Sequence, residues 1–150
     1  MIDVLRDSPV FQGLAEARLE QIAVICERQR FRAGALIFAE NAPADTCHIV
    51  EHGEVSTQFM RPAGKPVTVR TIGRAGVFGW QCLLGCKRYV ATAVCDTDVT
   101  ILAIKEADIR KVLNQDERMA FRFMASLARL VGFRLKAMKA RLVAEIGKST

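Results

Sequence analysis

The stretch Gly76-Val77-Phe78-Gly79-Trp80-Gln81-Cys82-Leu83-Leu84, followed by Tyr89-Val90-Ala91-Thr92-Ala93, concentrates the groups in this sequence that could hold a ligand. A glycine-flanked turn leads into one short helical turn, then a loop, then a strand that opens with Ala-Thr. Such an arrangement could cradle an anionic, phosphate-bearing ligand. Gly76 and Gly79 permit the turn. The backbone from Gly79 to Cys82 offers N–H groups to an anion. Arg88 supplies positive charge and Thr92 a hydroxyl. Trp80 and Tyr89 shape or block the cavity, with Phe78, Gln81, Leu83 and Ala91 around them.

Other chemistries find little support. His48 and His52 lie four apart, a spacing that suits a metal only on a helix. They fall on a strand and its turn, which puts them on one face about two pleats apart, and no third ligand is evident. There is no His-x-His, so the metal sites of cupin-type rolls are not expected, and no metal is. Cys82 and Cys86 flank the pocket and read as packing residues. No Ser-His-Asp or Cys-His arrangement, P-loop or carboxylate pair points to catalysis, so the expected role is non-catalytic.

The elements that must position the pocket follow from the pattern. Leu14, Leu19, Ile22, Ala23 and Cys26 recur at helical spacing, and Ser8-Pro9 suits a helix start. The pattern then changes to short strands broken by Gly, Pro, Asn and Asp. The candidates are 28–31, 36–39, 47–51, 55–59, 67–72, 91–95 and 100–104. A short helix over 106–113 and a long one over 116–146 come next. Chain length favours one domain, 1–150. The fold class is mainly β with flanking helices, a double-stranded, jelly-roll-like β-roll over about 28–105 with a helical region over about 106–147.

Three further motifs stand in register: Phe11-Gln12-Gly13-Leu14, Phe31-Arg32-Ala33-Gly34-Ala35-Leu36-Ile37-Phe38, and His48-Ile49-Val50-Glu51-His52-Gly53-Glu54-Val55. With the glycine-flanked cassette they resemble the cyclic nucleotide-binding domains of bacterial catabolite activators, protein kinase A regulatory subunits and gated channels. The resemblance spans about residues 5–145 and implies a regulatory sensor binding cyclic AMP or cyclic GMP. It also implies a glutamate for the ribose hydroxyl after Phe-Gly, where this sequence has Trp80. It implies an arginine for the cyclic phosphate two residues before Ala-Thr, where this sequence has Tyr89 and Arg88 is displaced by one. An indole accepts no hydrogen bond, and a phenol offers no charged fork. Losing two charged hydrogen bonds, each about 1.5–3 kcal/mol, should weaken binding by roughly two to four decades. Two readings stay open. In one, a bulge in Gly85-Cys86-Lys87 swings Arg88 into the phosphate position and a cyclic nucleotide binds. In the other, the aromatics fill the pocket or serve a different small molecule.

The long helix carries Met124, Ala128, Val131, Leu135, Met138, Leu142 and Ile146 at nearly heptad spacing, while Phe123, Leu127 and Leu130 form a second stripe directed at the roll. Two stripes predict a homodimer through this helix. The competing expectation is an interaction module with a closed pocket that docks on a partner protein. Net charge is +6, with ten Lys or Arg against three acids from Arg110 to Thr150, which reads as a solvated helix face or as attraction to an acidic partner, RNA or DNA. In related transcription factors a helix-turn-helix follows the long helix. The chain stops at Thr150, so it is expected not to read DNA by itself, either as a stand-alone sensor, which the Met1 start favours, or as a truncated regulator. No apolar run reaches the roughly 18 residues of a membrane span. With five scattered cysteines and no basic, apolar leader, the expectation is a cytoplasmic protein with reduced thiols.

Overall fold

A computed structural model describes residues 1–148. The last two positions of the expected domain, Ser149 and Thr150, lie outside the described residues. The element order is α1 (Ile2–Asp7), α2 (Glu16–Ile25), β1 (Cys26–Phe31), β2 (Leu36–Phe38), β3 (Thr46–His52), β4 (Val55–Met60), β5 (Pro66–Ile72), β6 (Val77–Phe78), a 3-10 helix (Trp80–Leu84), β7 (Thr92–Cys95), β8 (Val99–Lys105), α3 (Glu106–Asn114) and α4 (Glu117–Lys148).

Two antiparallel four-stranded sheets make the β-roll, one ordered β1-β8-β3-β6 and the other β2-β7-β4-β5. The central strands β3 and β8 are buried on both faces, which explains their nearly unbroken apolar runs, Ile49-Val50 and Ile101-Leu102-Ala103-Ile104. Alternate residues serve two cores. Val50, Phe78, Ala93, Val99 and Ile101 fill the interior between the sheets. Ile49, Leu102 and Ile104 face the other way, against Leu5, Leu19, Ile22, Ile109, Phe123 and Leu127 of the helices. The stripe Phe123, Leu127 and Leu130 is buried, so α4 is fastened to the roll by its first half. Among the described residues no helix is long and apolar enough to cross a membrane.

Three expectations need correction. Ser8-Pro9 ends a helix instead of starting one. Ser8 follows α1 in extended backbone (φ −68°, ψ 135°), its N–H donating to the Leu5 carbonyl. Proline clashes with a helical preceding residue, so Ser-Pro is a stop. A two-residue strand, β6, lies inside the cassette where only a turn was expected, pairing Val77 and Phe78 with Ile49 and His48 of β3. The two histidines do not share an environment, because the β3–β8 register shifts between Val50 and His52. His48 is buried and His52 is exposed at the strand end.

Candidate functional site

A cavity of about 330 Å³ opens between the roll and α4. The 3-10 helix side contributes Phe78, Gly79, Trp80 and Gln81, and the loop before β7 contributes Tyr89, Val90 and Ala91. Strands β2, β4 and β5 supply Phe38, Thr57, Phe59, Val69 and Arg70. The far wall is α4, through Val131, Arg134, Leu135, Ala137 and Met138. It is thus a mostly apolar chamber with a few polar groups, the composition usual for small-molecule sites.

Local geometry explains the walls. Gly79 sits at φ +68°, at the entry to the 3-10 helix. A side chain there would approach His48 Nδ1 to 3.0 Å and Tyr89 Cε1 to 3.2 Å, so both backbone and space require glycine. Gly76 has ordinary backbone, but a Cβ would run into the Ile72 side chain and come within 2.9 Å of the Gly73 carbonyl oxygen. Behind the cavity four rings pack together: Tyr89 on Phe38, and His48 on Phe78 at 5.0 Å between centroids and 18° between planes.

Six of the expected ligand residues line the cavity: Phe78, Gly79, Trp80, Gln81, Tyr89 and Ala91. The others do not. Gly76 lies in the turn before β6, and Cys82 and Leu83 belong to the core beneath the helices. Thr92 uses its hydroxyl to accept the Glu40 N–H at 3.0 Å. Arg88 points outward, donating from Nη1 to the Asn41 carbonyl at 2.7 Å, and its backbone bridges to Pro43. The bulge that would turn Arg88 inward is therefore absent, because the loop spends that side chain on closing against residues 41–43.

The fold agrees with that of known proteins. The model of the family described as cyclic nucleotide-binding domain matches residues 28–116. The chain belongs to the cyclic nucleotide-binding domain family. A cAMP-dependent protein kinase regulatory subunit of Colletotrichum orbiculare is 28% identical over 115 residues, covering 77% of this chain and 29% of that protein. The N-terminal domain of a transcriptional regulator from Streptomyces coelicolor superposes with a TM-score of 0.79 at 25% identity, covering 86% of this chain and 92% of that one. The catabolite activator protein of Thermus thermophilus gives a TM-score of 0.79 at 25% identity, over 91% of this chain and 62% of that one. The chain spans less than a third of the kinase regulatory subunit it matches.

In this cyclic nucleotide-binding domain the charges at the cavity are cationic. Two guanidiniums line the cavity, from Arg70 and Arg134, and no carboxylate does among the described residues. Arg70 Nη1 donates to the Val77 carbonyl at 3.0 Å, tying β5 to β6. Arg134 Nε is buried and has no hydrogen-bond partner. Its burial lowers the guanidinium pKa, yet arginine stays charged. An unpartnered buried donor costs roughly 1–3 kcal/mol, more when charged.

Sequence reasoning missed both arginines and the strand residues beside them. Arg134 had a legible signal, lying three residues after Val131 and four before Met138 on one helix flank. Arg70 had none, because which face of β5 is inward depends on its pairing. The expected seam residues Val131, Leu135 and Met138 line the cavity, while Met124 and Ala128 are exposed on α4 and Leu142 lies beside Val67 and Val69 of β5.

Burial pushes the Cys82 thiol up to about 11 and the Tyr89 phenol up to about 12. A thiol so shifted is a poor nucleophile. Burial lowers His48 to about 4. Among the described residues no three His, Cys, Asp or Glu side chains cluster as metal ligands would.

Proposed function

We propose that this chain is the non-catalytic sensing domain of a regulator, and that its ligand is a small molecule seated between the cassette and α4. The observation that carries this is one cavity walled on one side by Trp80 and Gln81 of the 3-10 helix and on the other by Val131, Leu135 and Met138 of α4. A ligand that binds one arrangement of these walls better than another shifts the population toward it. The 3-10 helix and α4 then move together, and α4 carries the signal outward. An open chamber of about 330 Å³ also argues against a module whose pocket is closed.

Cyclic nucleotide binding is the family's theme, but Trp80 and Tyr89 have replaced the acid and base, and Arg88 faces solvent. We therefore infer that cyclic AMP and cyclic GMP bind at millimolar concentration at best. The outlet for the signal is a homodimer, a second copy covering the exposed apolar residues of α4, in a cytoplasmic protein with reduced thiols.

Filling the cavity from the helix side tests the coupling without any ligand. Ala137→Phe should change hydrogen exchange over Trp80–Leu84 as well as along α4. Unchanged exchange in the 3-10 helix would sink the sensing reading. Calorimetry that finds micromolar cyclic AMP or cyclic GMP would overturn the altered-cassette part alone.

A further inference from the structure

We propose that the cavity takes an organic anion with an apolar body, its charged head held by Arg70 of β5 and Arg134 of α4. The proposal rests on the sensing reading above and names the ligand class. Two cations face the chamber and no carboxylate answers them among the described residues. Neither arginine makes an ion pair among the described residues, although six other arginine or lysine side chains do. Arg134 Nε is buried with no acceptor among the described residues, while the rest of its side chain is only partly buried, so the guanidinium lines the chamber with no protein group bonded to Nε. A carboxylate or sulfonate supplies that acceptor, and a guanidinium fork matches it with two parallel bonds.

The rest of the chamber selects the body of the ligand. Phe59, Val69, Leu135 and Met138 offer only apolar surface, and Trp80 adds an indole face. Among the described lining side chains, only those of Thr57, Gln81 and Tyr89, all neutral, can accept from the hydroxyls of a sugar. A volume of about 330 Å³ suits a bicyclic aromatic acid or a medium-chain fatty acid. Because the two arginines lie on different elements, an anion between them ties α4 to the roll. That is the coupling a sensor needs.

The purified chain should be titrated with 2-naphthoate, decanoate and the neutral 2-naphthamide, read by calorimetry and by the fluorescence of Trp80, the sole tryptophan. At least one anion should bind once per chain and saturate. The amide should bind at least about tenfold more weakly, the equivalent of about 1.4 kcal/mol. Arg134→Gln and Arg70→Gln should each weaken the anion by a similar factor, while Arg88→Gln, on the outer surface, should leave it unchanged. If Arg134→Gln does not fold, as judged by its melting curve, Arg134→Lys replaces it and should retain part of the affinity. Silence from both anions at millimolar concentration, equal binding of naphthoate and naphthamide, or indifference to both arginine substitutions would overturn the proposal. Cyclic AMP binding without any response to the acids would also overturn it and leave the sensing reading standing. An anion that binds through both arginines but leaves exchange over Trp80–Leu84 unchanged would uphold the site and sink the sensing reading.

Discussion

The ring of Tyr89 lies flat on that of Phe38, with centroids 3.7 Å apart and planes 10° from parallel. Its hydroxyl donates to the Thr46 carbonyl at 3.0 Å, so the side chain is held at both its face and its tip. A stacked pair contributes about 0.5–1.5 kcal/mol beyond area burial, and a neutral hydrogen bond about 1 kcal/mol. Tyr89→Phe should therefore cost about 1 kcal/mol and Tyr89→Ala about 3–4 kcal/mol by urea unfolding. Equal losses would mean that the stack contributes nothing. The double variant Trp80→Glu with Tyr89→Arg gives up the stack but puts into the cassette the acid and base that the family resemblance implies. It should gain calorimetric affinity for cyclic AMP over the wild type. A folded double variant that stays silent would place the obstacle elsewhere in the chamber.

His48 is packed among the rings of Phe38, Phe78 and Tyr89, and its pKa falls from 6.5 to about 4 because burial disfavours the cation. The Phe78 backbone and the Asp45 carboxylate oppose that shift without cancelling it. Below pH 6.5 the unfolded chain binds a proton that the folded chain refuses. Stability is thus complete above about pH 6.5 and declines as pH falls toward 4. At about 1.4 kcal/mol per pH unit the loss approaches roughly 3 kcal/mol. His48→Phe should flatten the unfolding free energy across this window. A wild-type curve already flat between pH 6.5 and 4.5 would refute the assignment.

How much of this was legible in the sequence depended on the range of the cause. Local signals placed seven strands and both C-terminal helices within about two residues, because glycine turns and periodicity act over a few positions. Ser8-Pro9 runs against the expected helix start, because proline bars the residue before it from helical backbone. The two-residue β6 exists only because β3 lies beside it, a non-local cause with no period of its own. The same holds for the cavity. Phe78, Gly79, Trp80, Gln81, Tyr89 and Ala91 were legible because the cassette is contiguous. Arg70 and Arg134 were not, since they line one cavity only after α4 folds back over β5.

Gly79 and Gly85 bracket the 3-10 helix, both in left-handed backbone, at φ +68° and +89°. They separate backbone strain from crowding. A Cβ at Gly85 meets open space, while one at Gly79 presses on His48 and Tyr89. Gly85→Ala should cost about 1 kcal/mol, the penalty of the conformation alone. Gly79→Ala should cost about 2–3 kcal/mol, since overpacking adds to it. Equal costs would show that the rings yield freely and that the cassette is softer than its packing implies.

Glu51, on β3, receives Arg28 Nε at 2.7 Å and Nη2 at 3.0 Å, and the N-terminal ammonium lies 3.5 Å away. The Arg28 hydrogen bond is the main cause holding the Glu51 carboxyl below its usual 4.5. This stability is present above about pH 4.5 and is lost as pH falls through the lower folded value, an acid limb distinct from that of His48. Arg28 is half exposed, which tempers the strength of the pair. Glu51→Gln should cost about 1–3 kcal/mol at pH 7 and remove that acid limb from the stability curve. A variant retaining the limb would assign it to another carboxylate.

Along α4, Met124, Leu135, Leu142 and Ile146 are 44%, 72%, 61% and 58% exposed. One apolar row on a long helix is a larger exposed surface than a monomer ordinarily keeps. Its nearly heptad spacing fits a second copy of the same helix, as knobs of one enter holes of the other. The row adjoins the cavity through Val131, Leu135 and Met138, so a partner helix would sit where ligand-driven motion of α4 is felt. Light scattering should return twice the monomer mass at micromolar concentration. Met124→Glu and Leu142→Glu each place a charge on the row without touching the buried stripe of Phe123, Leu127 and Leu130. Both should give monomers with unchanged circular dichroism, since desolvating an unpaired carboxylate in such an interface costs several kcal/mol. A wild-type chain that stays monomeric at high concentration would remove the dimer and leave the apolar row of α4 to a different partner.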